Sequence, residues 1–167
     1  SGPVLDFLMP KITLLGNGGA IWILAALILL CTKKYRRQGV LLLVGLIAGV
    51  LVGNACLKNL IARPRPCWLD SSVQLLIANP ADYSFPSGHT LSSVIGATGL
   101  TKTNRRFGYA AIPLAALIAF SRLYLYVHFP SDVLAAAVLG VELGELVWRC
   151  GGKLLERWHA PRGRQRA

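Results

Sequence analysis

Long apolar runs, separated by short polar or basic turns, make up most of this chain. Within each run nearly every position is apolar, without the amphipathic rhythm of a helix on the surface of a soluble protein. Continuous runs of this length predict helices that cross a lipid bilayer. They cover about residues 19–32, 39–57, 87–101, 107–127 and 131–149. The pattern therefore predicts an all-α fold, an integral membrane helical bundle of about five transmembrane helices.

The two ends of the chain depart from this pattern. Residues 3–15 are apolar but short, and they contain an aspartate, a proline and a lysine, so they predict a helix that lies in the membrane interface. Residues 16–19 contain three glycines and an asparagine and predict a turn. Residues 151–167 are strongly basic and predict a disordered tail on the cytoplasmic side. Residues 1–150 then form a single membrane domain.

The composition agrees with a membrane protein, since 54% of the residues are hydrophobic and only 15% are charged. In a soluble protein the net charge of +11 would suggest a nucleic-acid partner. Here the basic residues lie in short loops between the apolar runs, so orientation in a bilayer explains them better. We therefore expect contacts with membrane lipids and no nucleic-acid partner. The four cysteines have no metal-ligand spacing.

The basic residues are distributed unequally between the two sides of the predicted bundle. One side collects Lys33, Lys34, Arg36, Arg37, Lys102, Arg105, Arg106, Arg149, Lys153, Arg157, Arg162, Arg164 and Arg166. The other side collects only Lys11, Lys58, Arg63, Arg65 and Arg122. Cytoplasmic loops of membrane proteins carry the excess of Lys and Arg. The first side, with the C-terminus, is thus predicted to be cytoplasmic, and loops 58–86 and 121–132 are predicted to face outward from the cell membrane.

Chemically useful side chains gather at the outward ends of the predicted spans. They are Lys58, Arg65, Ser87, Gly88, His89, Arg122, His128 and Asp132. Transfer of a phosphoryl group requires positive charge around the phosphate oxygens, an in-line nucleophile and a proton for the leaving oxygen. This set supplies all three, and we expect it to need neither a metal nor a cofactor. The alternatives are basic residues that snorkel to the interface and a structural histidine at a helix junction, but charge near a bilayer is costly and favours a functional site.

Three segments of this set resemble the signature motifs of the type-2 phosphatidic acid phosphatase family, over roughly residues 16–150. The matching segments are Lys58 with Arg65-Pro66, Pro86-Ser87-Gly88-His89, and Ser121-Arg122 with His128 and Asp132. The resemblance implies that His128 attacks phosphorus and forms a phosphohistidine, that Asp132 orients it, and that His89 protonates the leaving oxygen and then activates water. The phosphate is held, by the same resemblance, by Lys58, Arg65, Ser87, Gly88 and Arg122.

This resemblance implies a metal-independent membrane lipid phosphatase. An outward-facing site favours a lipid phosphate of the outer leaflet, such as undecaprenyl pyrophosphate, which is converted to undecaprenyl phosphate; phosphatidylglycerophosphate and phosphatidic acid are the alternatives. A transporter or a non-catalytic membrane scaffold is the alternative from another class. A transporter, however, predicts broken helices near the midplane, whereas the polar groups here lie at span ends.

Two charged positions lie outside the motifs. Arg63 is interpreted as a charge at the rim of the site. Glu145 is expected to pair with Arg149, four residues later on the same helix, near the inner interface.

Overall fold

The computed structural model describes residues 2–159, with side chains as far as Leu154, and this range contains helices and no β-strand. The helices are α1 (Pro3–Leu15), α2 (Ala20–Cys31), α3 (Arg36–Gly49), α4 (Lys58–Ile61), α5 (Pro66–Leu69), α6 (Gly88–Thr103), α7 (Arg105–Tyr124) and α8 (Pro130–His159). A 3₁₀ turn, Asn17–Gly19, joins α1 to α2, and a π-helical stretch, Val50–Leu57, joins α3 to α4. The predicted all-helical fold is confirmed.

The central helix is α6, which packs against α3, α7 and α8. It is rich in small residues, and its neighbours need two of them to be glycine. A Cβ atom on Gly96 would lie 2.4 Å from the Trp22 ring, and one on Gly99 would lie 3.0 Å from Leu42. The Trp22 indole also donates a hydrogen bond to the Ser93 hydroxyl at 3.0 Å. Small residues allow the close helix approach on which packing within a membrane depends.

Among the described residues, two stretches are long and apolar enough to cross a bilayer, Arg36–Leu69 and Arg105–Tyr124. The first two helical segments, Pro3–Leu15 and Asn17–Cys31, pass the same test only together, as a pair bent by 43°. Helix α2 alone has 12 residues, which rise about 18 Å, less than the ~30 Å hydrocarbon core of a bilayer. The helices are thus those of a membrane protein, and the count of five spans stays a prediction.

Helix α8 is longer than the span predicted at residues 131–149, because it continues to His159. Gly151 and Gly152 weaken a helix by only about 1 kcal/mol each, and the next proline comes at residue 161. The first part of the predicted disordered tail is therefore helical, and the part beyond residue 159 lies outside the described residues. The predicted pair of Glu145 with Arg149 is confirmed at 3.4 Å, and Lys102 joins it from α6 at 2.7 Å.

Candidate active site

The predicted site residues come together at one end of the bundle, where proline-containing breaks end one helix and begin the next. Pro64 lies between α4 and α5, Pro66 is the first residue of α5, Pro86 precedes α6, and Pro130 is the first residue of α8. One cavity of about 930 Å³ opens at this end. The predicted residues in its wall are Lys58, Arg65, Gly88, His89, Arg122 and His128. The other two, Ser87 and Asp132, are fully buried beside it.

His128 lies in the loop between α7 and α8 and contacts Arg65. One terminal nitrogen of the Arg65 guanidinium, Nη1, is 3.1 Å from His128 Nε2, and it also donates to the Val127 carbonyl at 2.7 Å. Because a guanidinium only donates hydrogen bonds, Nε2 is the ring nitrogen without a proton. Burial lowers the pKa of His128 to about 4. At neutral pH the imidazole is therefore uncharged and presents a lone pair on Nε2, as a nucleophile requires.

Asp132 lies in the first turn of α8, and its carboxylate is fully buried. Its Oδ2 accepts hydrogen bonds from the Phe129 amide at 2.9 Å and from the Ser84 hydroxyl. The distance from this oxygen to His128 Nδ1 is 3.7 Å, longer than a hydrogen bond. Ser84 Oγ lies 3.4 Å from the same ring nitrogen. The expected carboxylate–imidazole contact therefore includes Ser84, a residue that sequence reasoning did not identify.

Arg63 is not a free charge at the rim. Its Nη1 lies 2.7 Å from Asp132 Oδ1 and 2.7 Å from the Ser131 hydroxyl, and its guanidinium stacks 4.1 Å from the centre of the Phe129 ring. The chain reverses beside it, since Ala62 ends α4 with a left-handed φ of 46°. Its side chain is 34% exposed and is absent from the described residues of the cavity wall, which agrees with a place at the rim, but the sequence did not reveal its partners because Ser131 and Asp132 lie far away along the chain.

The N-terminal segment contributes two further residues to the site. Asn17 Oδ1 is 2.8 Å from His89 Nε2, and the Thr13 hydroxyl accepts a hydrogen bond from Arg122 Nη1 at 2.6 Å. The turn approaches closely because residue 16 is glycine: a Cβ atom there would lie 2.8 Å from the His89 ring. The sequence predicted a turn at residues 16–19 without indicating that it packs against a histidine of the site.

Helix α6 starts with Ser87 as its N-cap. The Ser87 hydroxyl accepts from the Thr90 amide at 3.4 Å and from the Thr90 hydroxyl at 3.0 Å. The Ser87 hydroxyl is thus bonded within the helix start and does not line the cavity, whereas Gly88 and His89 line it, followed by Leu91 and Ser92 of the same helix. First-turn amides of a helix lack intrahelical acceptors and are suited to bind an anion.

Lys58 and Arg65 share an acidic partner, Asp82, from the segment between α5 and α6. Lys58 forms a salt bridge with Asp82 Oδ2, and Arg65 Nη2 donates to Asp82 Oδ1 at 2.7 Å. This partner could not be identified from the sequence, because residues 67–84 contain several polar side chains without a periodic pattern.

The cavity also has an apolar part. It runs along α3 and the π-helical stretch, past Leu43, Leu46, Ile47, Val50 and Leu51, with Ile23 of α2 on the other side. Lys58 follows this stretch directly, so a row of apolar side chains ends at the cationic part of the cavity. The cavity thus offers a charged site and a groove for hydrocarbon.

Known proteins are similar to this chain in sequence and in fold. Residues 38–156 match the PAP2 superfamily. An undecaprenyl-diphosphatase of Sulfolobus acidocaldarius is 35% identical over 121 residues, which are 72% of this chain and 58% of the relative, so this chain matches less than two thirds of that protein. Undecaprenyl-diphosphatase BcrC of Bacillus subtilis is 31% identical over 146 residues, 87% of this chain and 75% of the relative.

A solved structure also resembles the fold. The crystal structure of the first transmembrane PAP2 type phosphatidylglycerolphosphate phosphatase from Bacillus subtilis has a TM-score of 0.72 and 28% identity, and the similarity covers 97% of this chain and 82% of that one. Together with the family match over most of the sequence, these similarities lead to one conclusion: the chain belongs to the PAP2 superfamily.

Proposed function

We propose that this protein is a membrane lipid phosphatase that removes a terminal phosphate through a phosphohistidine intermediate. The observation that carries the proposal is the cavity. Three cations, Lys58, Arg65 and Arg122, line it together with His89 and His128, and an apolar groove leads away from them along α3. This combination suits a ligand with a phosphate at one end and a long hydrocarbon chain at the other.

In the first step, His128 Nε2 attacks phosphorus, and the bond from phosphorus to the leaving oxygen breaks as the nitrogen–phosphorus bond forms. His89 donates a proton to the leaving oxygen, so the lipid departs as a neutral hydroxyl or as a phosphate with one charge fewer. The three cations stabilise the negative charge on the phosphate oxygens in the transition state. The hydrogen bond from Arg65 to Nε2 supports the choice of nucleophile, since it leaves the ring proton on the opposite nitrogen.

In the second step, water attacks the phosphorus of phosphohistidine. His89, now neutral, accepts a proton from this water, and the electron pair of the broken nitrogen–phosphorus bond returns to Nε2. Inorganic phosphate leaves, and both histidines are restored. Asp132 stabilises the positive charge that develops on the His128 ring, with Ser84 between them and Arg63 holding the carboxylate in place.

Undecaprenyl pyrophosphate is the substrate that we favour. Both relatives described above carry the name undecaprenyl-diphosphatase. The groove supports the choice, because it follows α3 from Leu43 to Lys58, roughly 20 Å at helical rise, which gives a polyprenyl chain a long apolar surface. Phosphatidylglycerophosphate is the second candidate, since the similar solved structure is a phosphatase of that lipid.

We also propose five transmembrane helices, with the site facing outward and the C-terminus in the cytoplasm. Helix α1 then lies in the interface. Its Met9 packs against Cys67 of the short helix α5 and against Leu125 and Val127 between α7 and α8, and this supports a helix that lies across the site end. The basic loops at residues 33–37 and 102–106 lie at the other end, which supports the orientation.

The test is phosphate release by the purified full chain in detergent, with undecaprenyl pyrophosphate, phosphatidylglycerophosphate and phosphatidic acid compared at equal surface concentration. We expect the highest kcat/KM with undecaprenyl pyrophosphate and loss of activity in His128→Asn, which keeps a polar side chain of similar size. Arg36→Ala, at the exposed opposite end of the protein, is the matched control. A folded protein that releases phosphate from none of these lipids would refute the proposal.

A further inference from the structure

The Asp82 carboxylate occupies the donors that a bound phosphate would use. It bridges Lys58 and Arg65, whose side chains are only 9% and 2% exposed. Both cations line the cavity beside His128. Charged side chains this deeply buried need an anionic partner, because an unpaired buried charge is costly. In the structure that partner is Asp82.

Asp82 is held in a way that lets its side chain leave. Its carboxylate is 56% exposed, on the solvent side of the two cations. It lies on the non-helical segment between Leu69 and Gly88, so its rotation breaks no helix. Arg65 keeps other partners when the carboxylate departs, since its Nε donates to the Asp82 main-chain carbonyl at 2.6 Å and its Nη2 lies 3.3 Å from the Tyr83 carbonyl.

The third cation shows that the site is incomplete with Asp82 alone. Arg122 is 4% exposed, and its Nε has no hydrogen-bond partner among the residues that the structure describes. One carboxylate thus neutralises part of a site with three positive side chains. A terminal phosphate carries about −1.5 to −2 charge at pH 7 and has three acceptor oxygens. These oxygens can accept from Arg122 Nε as well as from Lys58 and Arg65, the two donors that Asp82 uses.

We propose that the Asp82 carboxylate is an internal competitor for the phosphate site, which keeps weakly bound anionic headgroups out and yields to a terminal phosphate. The proposal rests on the phosphatase function and names the residue that sets which anions occupy its site. Although burial opposes its ionisation, the hydrogen bond and charge of Lys58, with the charge of Arg65, lower the pKa of Asp82 to about 2, so the competitor is charged at every physiological pH.

The competition raises every anion's apparent dissociation constant by the same factor, because each must bind the fraction of molecules whose site is open. The factor matters most for weak ligands at high concentration. Phosphodiester lipids, with a single negative charge on the headgroup, are such ligands in a membrane. A terminal phosphate binds more strongly because of its greater charge, and it still occupies the site after the same loss of affinity.

The experiment compares Asp82→Asn and Asp82→Ser with the wild type. Both variants remove the charge through different side chains, so the result does not depend on the folding of one variant. Asp70→Asn is the matched control, since Asp70 lies in the same segment and its carboxylate accepts hydrogen bonds from the Ser72 amide and hydroxyl, at 3.0 and 2.6 Å. The lipid that the wild type hydrolyses fastest serves as the substrate. The inhibition constants of inorganic phosphate and of phosphatidylglycerol are measured from the fall in its hydrolysis rate.

We expect both inhibition constants to fall by about tenfold, and by the same factor, in the two Asp82 variants, and to stay at the wild-type value in Asp70→Asn. A tenfold fall is the effect expected from the loss of one charge-assisted hydrogen bond at a half-exposed carboxylate. Inhibition constants that rise in the Asp82 variants overturn the inference, because Asp82 then positions the cations for phosphate. Constants equal to those of the wild type overturn it as well.

A second measurement separates this inference from the proposed function. Inorganic phosphate raises Tm through a stabilisation that grows as the logarithm of one plus the ratio of its concentration to its dissociation constant, whether or not the protein turns over a lipid. A larger phosphate-dependent rise in Tm in Asp82→Asn than in the wild type upholds the inference even for a protein that hydrolyses no lipid. An active enzyme whose Tm responds to phosphate equally in both forms upholds the function and refutes the competitor.

Discussion

Replacing Arg63 by alanine tests whether this residue serves catalysis through Asp132. Arg63 provides one of three hydrogen-bond contacts to that carboxylate, at 2.7 Å; the others come from the Phe129 amide and the Ser84 hydroxyl. A hydrogen bond to a charged group contributes about 1.5–3 kcal/mol. Because the Arg63 side chain is 34% exposed, solvent screening places its contribution near the lower end. A loss of about 1.5–2 kcal/mol in the transition state lowers kcat by roughly 10–30-fold.

The loss should appear in kcat and leave KM nearly constant. Arg63 is absent from the described residues that line the cavity, so the ground-state contacts to the phosphate remain. The assay is steady-state phosphate release from lipid in detergent for the wild type, Arg63→Ala and Arg63→Lys. Lysine keeps the charge but loses the flat stacking on Phe129, so we expect Arg63→Lys to fall between the other two.

Arg36→Ala is the control for the loss of an arginine, because Arg36 is exposed and remote from the site, and its Nε donates to the Leu30 carbonyl at 3.2 Å. The reasoning is refuted if Arg63→Ala raises KM tenfold at constant kcat, since Arg63 would then contact the substrate. It is equally refuted if kcat is that of the wild type, since Asp132 would then need no support from Arg63.

Further outcomes concern the histidines, metal ions and topology. In rapid-quench experiments with labelled substrate, His128→Ala should form no phosphoenzyme. His89→Ala should lose 10²–10⁴-fold in turnover and accumulate phosphoenzyme with p-nitrophenyl phosphate. Labelled phosphate bound to His128→Ala would show that the roles of nucleophile and general acid are reversed. Turnover should persist in EDTA, because three cationic side chains line the cavity in which we propose that the phosphate binds. Activity that is lost in EDTA and restored by a divalent ion would contradict this. In cells expressing a cysteine-free background, Ser72→Cys should react with an impermeant reagent from outside and Asn104→Cys should not, and the opposite pattern would place the site in the cytoplasm.

The sequence alone determined the fold class and most of the site's membership. Apolar runs long enough to fill a bilayer leave the backbone few options besides helices, because every amide in hydrocarbon must be bonded within its own segment. The prolines that interrupt these runs mark where helices end or begin, and the residues of the three motifs lie on either side of those breaks. Such signals are local, so Lys58, His89 and His128 were identified without coordinates.

The partners of these residues were decided by the tertiary structure. Ser84, Asp82 and Asn17 lie in polar segments without periodicity, and nothing in their neighbours along the chain shows that each contacts a group of the site. The same holds for Arg63, whose contact with Asp132 joins positions 69 residues apart.

The lengths of the helices also differ between the sequence-based prediction and the structure. A hydropathy pattern locates apolar residues but does not fix where a helix begins, bends or continues. Helix α2 is short because the turn at Gly18 and Gly19, both with positive φ, precedes it. Helix α8 is long because its glycines do not stop it. Side-chain contacts between distant segments and the packing of helix ends depend on the whole fold at once, which is why the sequence identified the candidate site residues and only the structure revealed what holds them in place.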